Sequence, residues 1–252
     1  MNKQEALFKY LLRLADTSLI LAQRNGEWCG HGPFLEEDLA LTNISLDLLG
    51  QANSIYQYAA RVEGKGRTED QLAFHRNERE FYNTLIVEQS NGDYAKTILR
   101  QFLCDAFNFY FYTELIKSKD EMLAAIAAKS IKEITYHLRH SSSWVERLGE
   151  GTEESHNRIQ DALNELWRYT GDMFGNDVVN NILLKENIAI NPASIQPKWE
   201  SKVKEIFERA TLTIPSNTFM QSGSIDGKHT EHLGYILAEM QSLPRALPDA
   251  KW

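Results

Sequence analysis

The sequence predicts an all-α protein built around a four-helix bundle. Glycine and proline are sparse, at 14 and 6 of 252 residues, so long helices can run without interruption. Apolar residues recur three or four positions apart in four long stretches, which is the spacing of the apolar face of a helix. Each stretch also carries one carboxylate beside its apolar face. Together these patterns are typical of a helical bundle with polar groups at its core.

The four long helices are predicted at residues 5–24, 38–63, 94–117 and 123–148. The fourth shows two parallel stripes. One is apolar and contains Leu123, Ile134 and Val145. The other could hold a metal or relay protons, and consists of Ser130, Glu133, His137, His140 and Trp144. A seam of side chains that hydrogen-bond one another is the commoner explanation of such a stripe.

Turn and capping residues separate these helices. Pro33 precedes an acidic start of the second helix, and Gly64 ends it. A capping box at Thr68 predicts a short helix through Phe74. Further helices are predicted at residues 152–174, 198–210 and 229–243, with irregular structure and room for a short helix between residues 175 and 197. Nothing resembles an interdomain linker, so we predict a single domain over residues 1–252.

Composition excludes several classes of function. The formal net charge is -8, with 35 acidic and 27 Lys or Arg residues, and no basic stripe replaces phosphate counterions. We therefore expect no nucleic-acid partner. Cys29 and Cys104 are the two cysteines, too few for a disulfide framework or a zinc motif. Charged residues interrupt the apolar N-terminal stretch, and no later run is long enough to cross a membrane. We expect a cytoplasmic protein.

The stripe in the fourth helix can be tested against the ligands of a di-iron bundle. Such a site takes a Glu from each of two helices and a Glu-x-x-His pair from each of two others. Only Glu153 with His156, and Asp226 with His229, have this spacing, and both pairs lie in glycine-rich segments. The long helices instead offer one carboxylate each: Asp16, Asp47, Asp105 and Glu133. Three of these are the shorter Asp, and none is followed by His at the third position. The spacing predicts a bundle without iron ligands.

Another cluster admits a binding function. Arg76 and Arg79 lie close in sequence to Tyr82, and such a mixture could contact a phosphate and stack on an adenine, as a coenzyme A site requires. A solvated helical turn explains the same residues more simply.

Four stretches carry a family resemblance that extends over essentially the whole chain. They are NGEWCGHGPFLEEDLALTNISLDLLGQA, VEQSNGDYAKTILRQF, AAKSIKEITYHLRHSSSWVERLG and KHTEHLGYILAEMQSLPRALPDAKW. These closely resemble the PaaC-type subunit of bacterial phenylacetyl-CoA epoxidase, a multicomponent monooxygenase.

The resemblance implies a ferritin-like fold and a structural, non-catalytic role in phenylacetate catabolism. The implied partners are a homologous catalytic subunit that holds the di-iron centre and a reductase that delivers electrons from NADPH. No cofactor is implied for this chain. Asp47, Glu133 and His137 then stand as remnants of a metal site, because the matching positions do not fit the pattern of the catalytic partner.

Three hypotheses follow for the function of the chain. The first is a structural subunit of a hetero-oligomer, with Trp28 and Trp252 as candidate partner contacts because interfaces favour aromatic anchors. The second is a metal-dependent oxygenase or an iron-handling protein that uses Glu133 and His137. The third is an acyl-CoA binding module that uses Arg76, Arg79 and Tyr82.

Overall fold

Ten α-helices make up most of the computed structural model, which describes residues 1–248 and contains no β-strand in that range. They are α1 (Lys3–Gly26), α2 (Leu35–Glu63), α3 (Glu69–Phe74), α4 (Tyr94–Leu115), α5 (Glu121–Gly149), α6 (Glu153–Leu166), α7 (Val178–Lys185), α8 (Pro192–Arg209), α9 (Glu231–Met240) and α10 (Ser242–Ala246). Short 3-10 turns occupy Glu78–Glu80, Trp167–Phe174 and Ser224–Asp226. No helix within residues 1–248 is long and apolar enough to cross a membrane.

The four longest helices form the bundle that the sequence predicts. α1 packs along α2, and α4 packs along α5, each pair being joined by a short loop. A long connection, residues 64–93, carries the chain from one pair to the other. Two helical hairpins joined by one long crossing connection are the topology of a ferritin-like bundle. The predicted fold class is therefore confirmed.

Local sequence signals explain where the bundle helices begin and end. Asp93 and Asp120 cap α4 and α5, accepting hydrogen bonds from the backbone N–H groups of Lys96 and Leu123 at 3.0 Å each. α2 ends at Gly64, whose φ of 69° lies in the left-handed region that glycine adopts without strain.

α1 is buried around most of its circumference, whereas the sequence predicts a single apolar face. It packs against α2, α7 and α9, so residues outside the predicted face are also covered. Arg13 and Asp16 are buried with them. An amphipathic pattern reports one buried face, and it cannot show that later helices cover the others.

The C-terminal helices depart most from the prediction. The helix predicted over residues 152–174 is α-helical only to Leu166 and continues as a 3-10 turn. α8 begins at Pro192, six residues before the predicted start, because Asn191 caps it and the helix runs through Pro197. The helix predicted at 229–243 is two helices, α9 and α10.

A buried ion pair ties the crossing connection to the bundle. The Asp16 carboxylate, fully buried on α1, accepts hydrogen bonds from the guanidinium of Arg76, from the Tyr56 hydroxyl at 2.5 Å and from the backbone N–H of Tyr82 at 2.8 Å. Arg76 also donates to the Glu80 carbonyl at 2.6 Å. Asp16 therefore joins α1, α2 and the connection at one point.

We expect Arg76→Met to lower the free energy of unfolding by about 3–5 kcal/mol, because it leaves the Asp16 charge buried without its cation. Urea unfolding followed by circular dichroism would measure the loss. Arg79→Met is the matched control, since Arg79 is exposed and should lose less than about 1 kcal/mol. Equal losses in the two variants would contradict this role for the pair.

Candidate functional site

Two groups of polar side chains lie beside the apolar core of the bundle, and together they are the candidate site. The inner group joins α1, α4 and α5. The outer group lies between α2 and α5 and includes the predicted remnants Asp47, Glu133 and His137.

The inner group is a chain of buried hydrogen bonds that ends on Asp105. The Asn25 amide donates to Gln101 at 2.8 Å, and the Gln101 amide donates to the Asp105 carboxyl at 2.7 Å. The Ser141 hydroxyl lies 2.8 Å from the other Asp105 oxygen and 2.9 Å from the His137 carbonyl. Burial raises the pKa of Asp105 from 3.8 to about 8, and the hydrogen bonds from Ser141 and Gln101 only partly oppose this. Asp105 is therefore mostly a neutral acid near pH 7.

The outer group contains two carboxylate–imidazole pairs. His137 Nε2 donates to Asp47 at 2.9 Å, and His140 Nε2 lies 2.8 Å from Glu37. The Tyr94 hydroxyl donates to the same Glu37 carboxylate at 2.9 Å. Within residues 1–248, Nδ1 of both histidines is buried without a hydrogen-bond partner. Burial lowers the pKa of His137, and the adjacent Asp47 only partly offsets this, so its imidazole favours the neutral form.

Glu133 lies in the same region as Asp47 and makes no comparable pair. Both residues line an open groove between α2 and α5 with a volume of about 470 Å³, and Lys129 lies on the same wall. Partial burial, together with the negative charge of Asp47, raises the pKa of Glu133. The structure therefore brings all three predicted remnants to one side of the bundle, although only Asp47 and His137 touch.

The comparisons with known proteins agree with this architecture. A model of the phenylacetic acid catabolic protein family matches residues 1–252. The chain belongs to this family. It is similar to one of the subunits of 1,2-phenylacetyl-CoA epoxidase from Escherichia coli strain K12, the PaaC-type one, with 51% identity over 246 residues that cover 98% of this chain and 99% of the relative. The resemblance to PaaC-type subunits that the sequence shows is thereby confirmed.

Since that resemblance implies a di-iron centre elsewhere in the complex, the four bundle carboxylates of this family member can be tested against the needs of such a centre. Bridged metals require carboxylates and imidazoles that converge on one point. Here Asp16 bonds to Arg76, Asp105 bonds to Ser141 and Gln101, and Asp47 bonds to His137. No group of three or more His, Cys, Asp or Glu side chains within residues 1–248 is arranged to hold a metal ion. These residues do not fit a di-iron group.

The two Glu-x-x-His-type pairs found by spacing have other partners. His156 Nδ1 lies 2.9 Å from the Gly149 carbonyl. His229 is buried against Glu88, with Nδ1 2.8 Å from that carboxylate, and Thr230 donates to the same carboxylate through its backbone N–H at 2.6 Å. Both imidazoles fasten helix ends to neighbouring segments.

The residues predicted to contact an acyl-CoA do not share one accessible surface. Arg76 is buried and its guanidinium is used by Asp16, which corrects its assignment to a surface phosphate site. Arg79 is exposed. Tyr82 is half-buried, with the Lys9 ammonium 4.6 Å from its ring centre. A ligand contact at Arg79 and Tyr82 stays a prediction.

The two aromatic anchors have different standing. Trp28 is partly buried against this chain: its indole N–H donates to the Thr97 hydroxyl at 2.9 Å, and its ring packs edge-on against Tyr94 with 5.9 Å between ring centres. Trp252 lies outside the described residues. A partner contact at either residue stays a prediction.

Two acids with internal partners escape prediction from sequence. Glu37 belongs to an acidic helix start, which suggests only an interaction with the helix dipole, yet it bonds to Tyr94 and His140. Glu88 lies in the crossing connection, where no helical period marks its burial. Only the histidine stripe on α5, which contains His140, hinted that an acid would face it.

We expect the stability of Asp105→Asn relative to the unmodified chain to rise with pH. The folded chain keeps a proton on Asp105 that the unfolded chain releases near its ordinary pKa of 3.8, so the contribution of this group to the free energy of unfolding falls as the pH rises from about 4 to about 8. An amide cannot ionise, and it can still accept from Gln101.

Urea unfolding at pH 5 and at pH 8 measures this difference, which should grow in favour of the variant by more than about 1 kcal/mol, since one pKa unit corresponds to about 1.4 kcal/mol. Asp161→Asn, at an exposed position on α6, should show no such trend. A difference for Asp105→Asn that does not change with pH would contradict the burial of a proton there.

Proposed function

We propose that this chain is a structural, non-catalytic subunit of a phenylacetyl-CoA epoxidase in phenylacetate catabolism, and that it works in the cytoplasm. It pairs with a catalytic subunit that holds the di-iron centre, while a reductase supplies electrons from NADPH. The similarity to the epoxidase protein from Escherichia coli supports the assignment to this complex. The observation that carries the non-catalytic role is that Asp16, Asp47 and Asp105 each bond to a side chain of this chain instead of converging on one point.

The face of the bundle formed by α2 and α5 supports a docking role. Leu35, Leu39 and Leu46 recur on one side of α2 and are 72%, 54% and 59% exposed. Met122 and Tyr136 are exposed on α5, and Leu46 and Met122 both line the groove between the two helices. Large apolar side chains that gather on one exposed face mark interaction sites. We assign this face to the catalytic subunit and name it the α2–α5 face.

The polar centre of the α2–α5 face supplies selectivity. Asp47 and Glu133 lie in the groove between the apolar side chains, and the chain as a whole carries a net charge of -8. An apolar rim around acidic groups favours a partner that presents apolar anchors together with a basic side chain. Such a side chain would neutralise Glu133, whose pKa is raised by burial and by Asp47.

One observation favours the alternative of a metal-dependent oxygenase or iron-handling protein. Nδ1 of His137 and of His140 has no hydrogen-bond partner within residues 1–248, and imidazole nitrogens are common metal ligands. Both nitrogens are buried, however, and the opposite nitrogen of each ring bonds to a carboxylate. This arrangement suits a structural hydrogen-bond seam better.

We expect Leu46→Asp to weaken binding to the catalytic subunit at least about tenfold, because it places a charge in the apolar part of the α2–α5 face. Binding of the purified chain to the purified catalytic subunit by calorimetry would measure the effect. Tyr235→Asp is the control, because Tyr235 is 69% exposed on α9, outside this face.

Leu46 is itself exposed, so the melting temperature of the free chain should stay nearly unchanged in Leu46→Asp. Unchanged affinity in Leu46→Asp, or an equal loss in Tyr235→Asp, would show that the partner binds another surface.

A further inference from the structure

A cavity of about 80 Å³ lies between α1, α4 and the segments that follow α6, away from the α2–α5 face. Its walls are largely apolar and aromatic. The side chains that dominate them are Tyr10, Leu14, Phe107, Phe111, Tyr112 and Met173. Holding one water requires roughly 10–15 Å³, so the space admits roughly five to eight non-hydrogen atoms. That is the size of a benzene ring with one small substituent.

The charged residues that line this cavity are already neutralised within the chain. Arg13 donates to Asp177 at 2.6 Å and 3.0 Å and to the Asn180 side-chain oxygen at 3.2 Å. The Asp172 carboxylate accepts hydrogen bonds from the backbone N–H groups of Leu85 at 2.9 Å and Gly223 at 3.0 Å. Because neither charge is free, an ion entering the cavity would lose its hydration without gaining a counter-charge.

Asn108 is the polar residue of the wall that the fold does not use. It belongs to the polar line of α4, whose other members are paired: Gln101 with Asp105, and Tyr112 with Gln51. No hydrogen bond reaches the Asn108 side chain from any other residue within 1–248, although the residue is only 9% exposed and lines the cavity. A buried amide normally finds partners for its donors and its acceptor. This amide is available to a guest.

We propose that the cavity is a binding site for a small, uncharged aromatic molecule with one hydrogen-bonding substituent. The aromatic walls contact the ring, and the Asn108 amide bonds to the substituent. Aromatic rings favour edge-on and offset contacts with one another, which the side chains of Phe107, Phe111 and Tyr112 can supply. This assignment does not rest on the role of the chain in the epoxidase.

Binding of three probes to the purified full chain tests the proposal. Phenol has a ring and a hydroxyl, benzene has the ring alone, and benzoate carries a charge. Ligand-observed NMR titration of the unmodified chain should show saturable binding of phenol, weaker binding of benzene and no binding of benzoate. Asn108→Leu, which has nearly the same shape, should lower the affinity for phenol about 3- to 10-fold and leave that for benzene unchanged or higher.

Asn164→Leu, at an exposed position on α6, is the control and should change neither affinity. Melting temperatures of all variants without probe check that they fold, and Asn108→Ala serves if Asn108→Leu does not. Three results would each overturn the proposal: no saturable binding of phenol or benzene, benzoate binding as tightly as phenol, or phenol binding that the Asn108 variants leave unchanged. The first of these would mean that the cavity holds water only.

Discussion

A carboxylate buried in a helical bundle has to meet a cation, a hydrogen-bond donor or a proton, because the loss of its hydration is otherwise too unfavourable. The rest of this structure depends on how that requirement is met. Asp16 takes the guanidinium of Arg76, which comes from the connection between the two helical hairpins. Asp105 keeps a proton, and Asp47 takes the imidazole of His137. The bundle thus stabilises its acids with its own side chains.

This internal pairing separates the core of the molecule from its surface chemistry. Since Arg76 is drawn inward, residues 64–93 lie against α1 and α2, and the α2–α5 face is left with its apolar side chains exposed. Asp47 and Glu133 then lie at the border between the core and that face. The position from which a metal site would be built becomes, in our proposal, the centre of a docking surface.

The sequence was sufficient for the regular parts of the molecule. A strong helical period predicted the four bundle helices within a few residues, and the same period placed Glu133 and His137 on one stripe of α5. It could not predict Arg76 as the partner of Asp16, because the two are 60 positions apart and the connection between them has no period. Nor could it show that Asn108 faces a cavity, since that depends on how residues 172–225 cover α1 and α4.

A structural role is tested most directly by the iron content of the purified chain, alone and in complex with the catalytic subunit, together with oxygen-dependent turnover of phenylacetyl-CoA in each state. We expect iron and turnover in the complex, and neither in the isolated chain. Stoichiometric iron in the isolated chain that is lost in Glu133→Ala and His137→Ala would contradict this role, because those residues would then be metal ligands and the groove between α2 and α5 an active site.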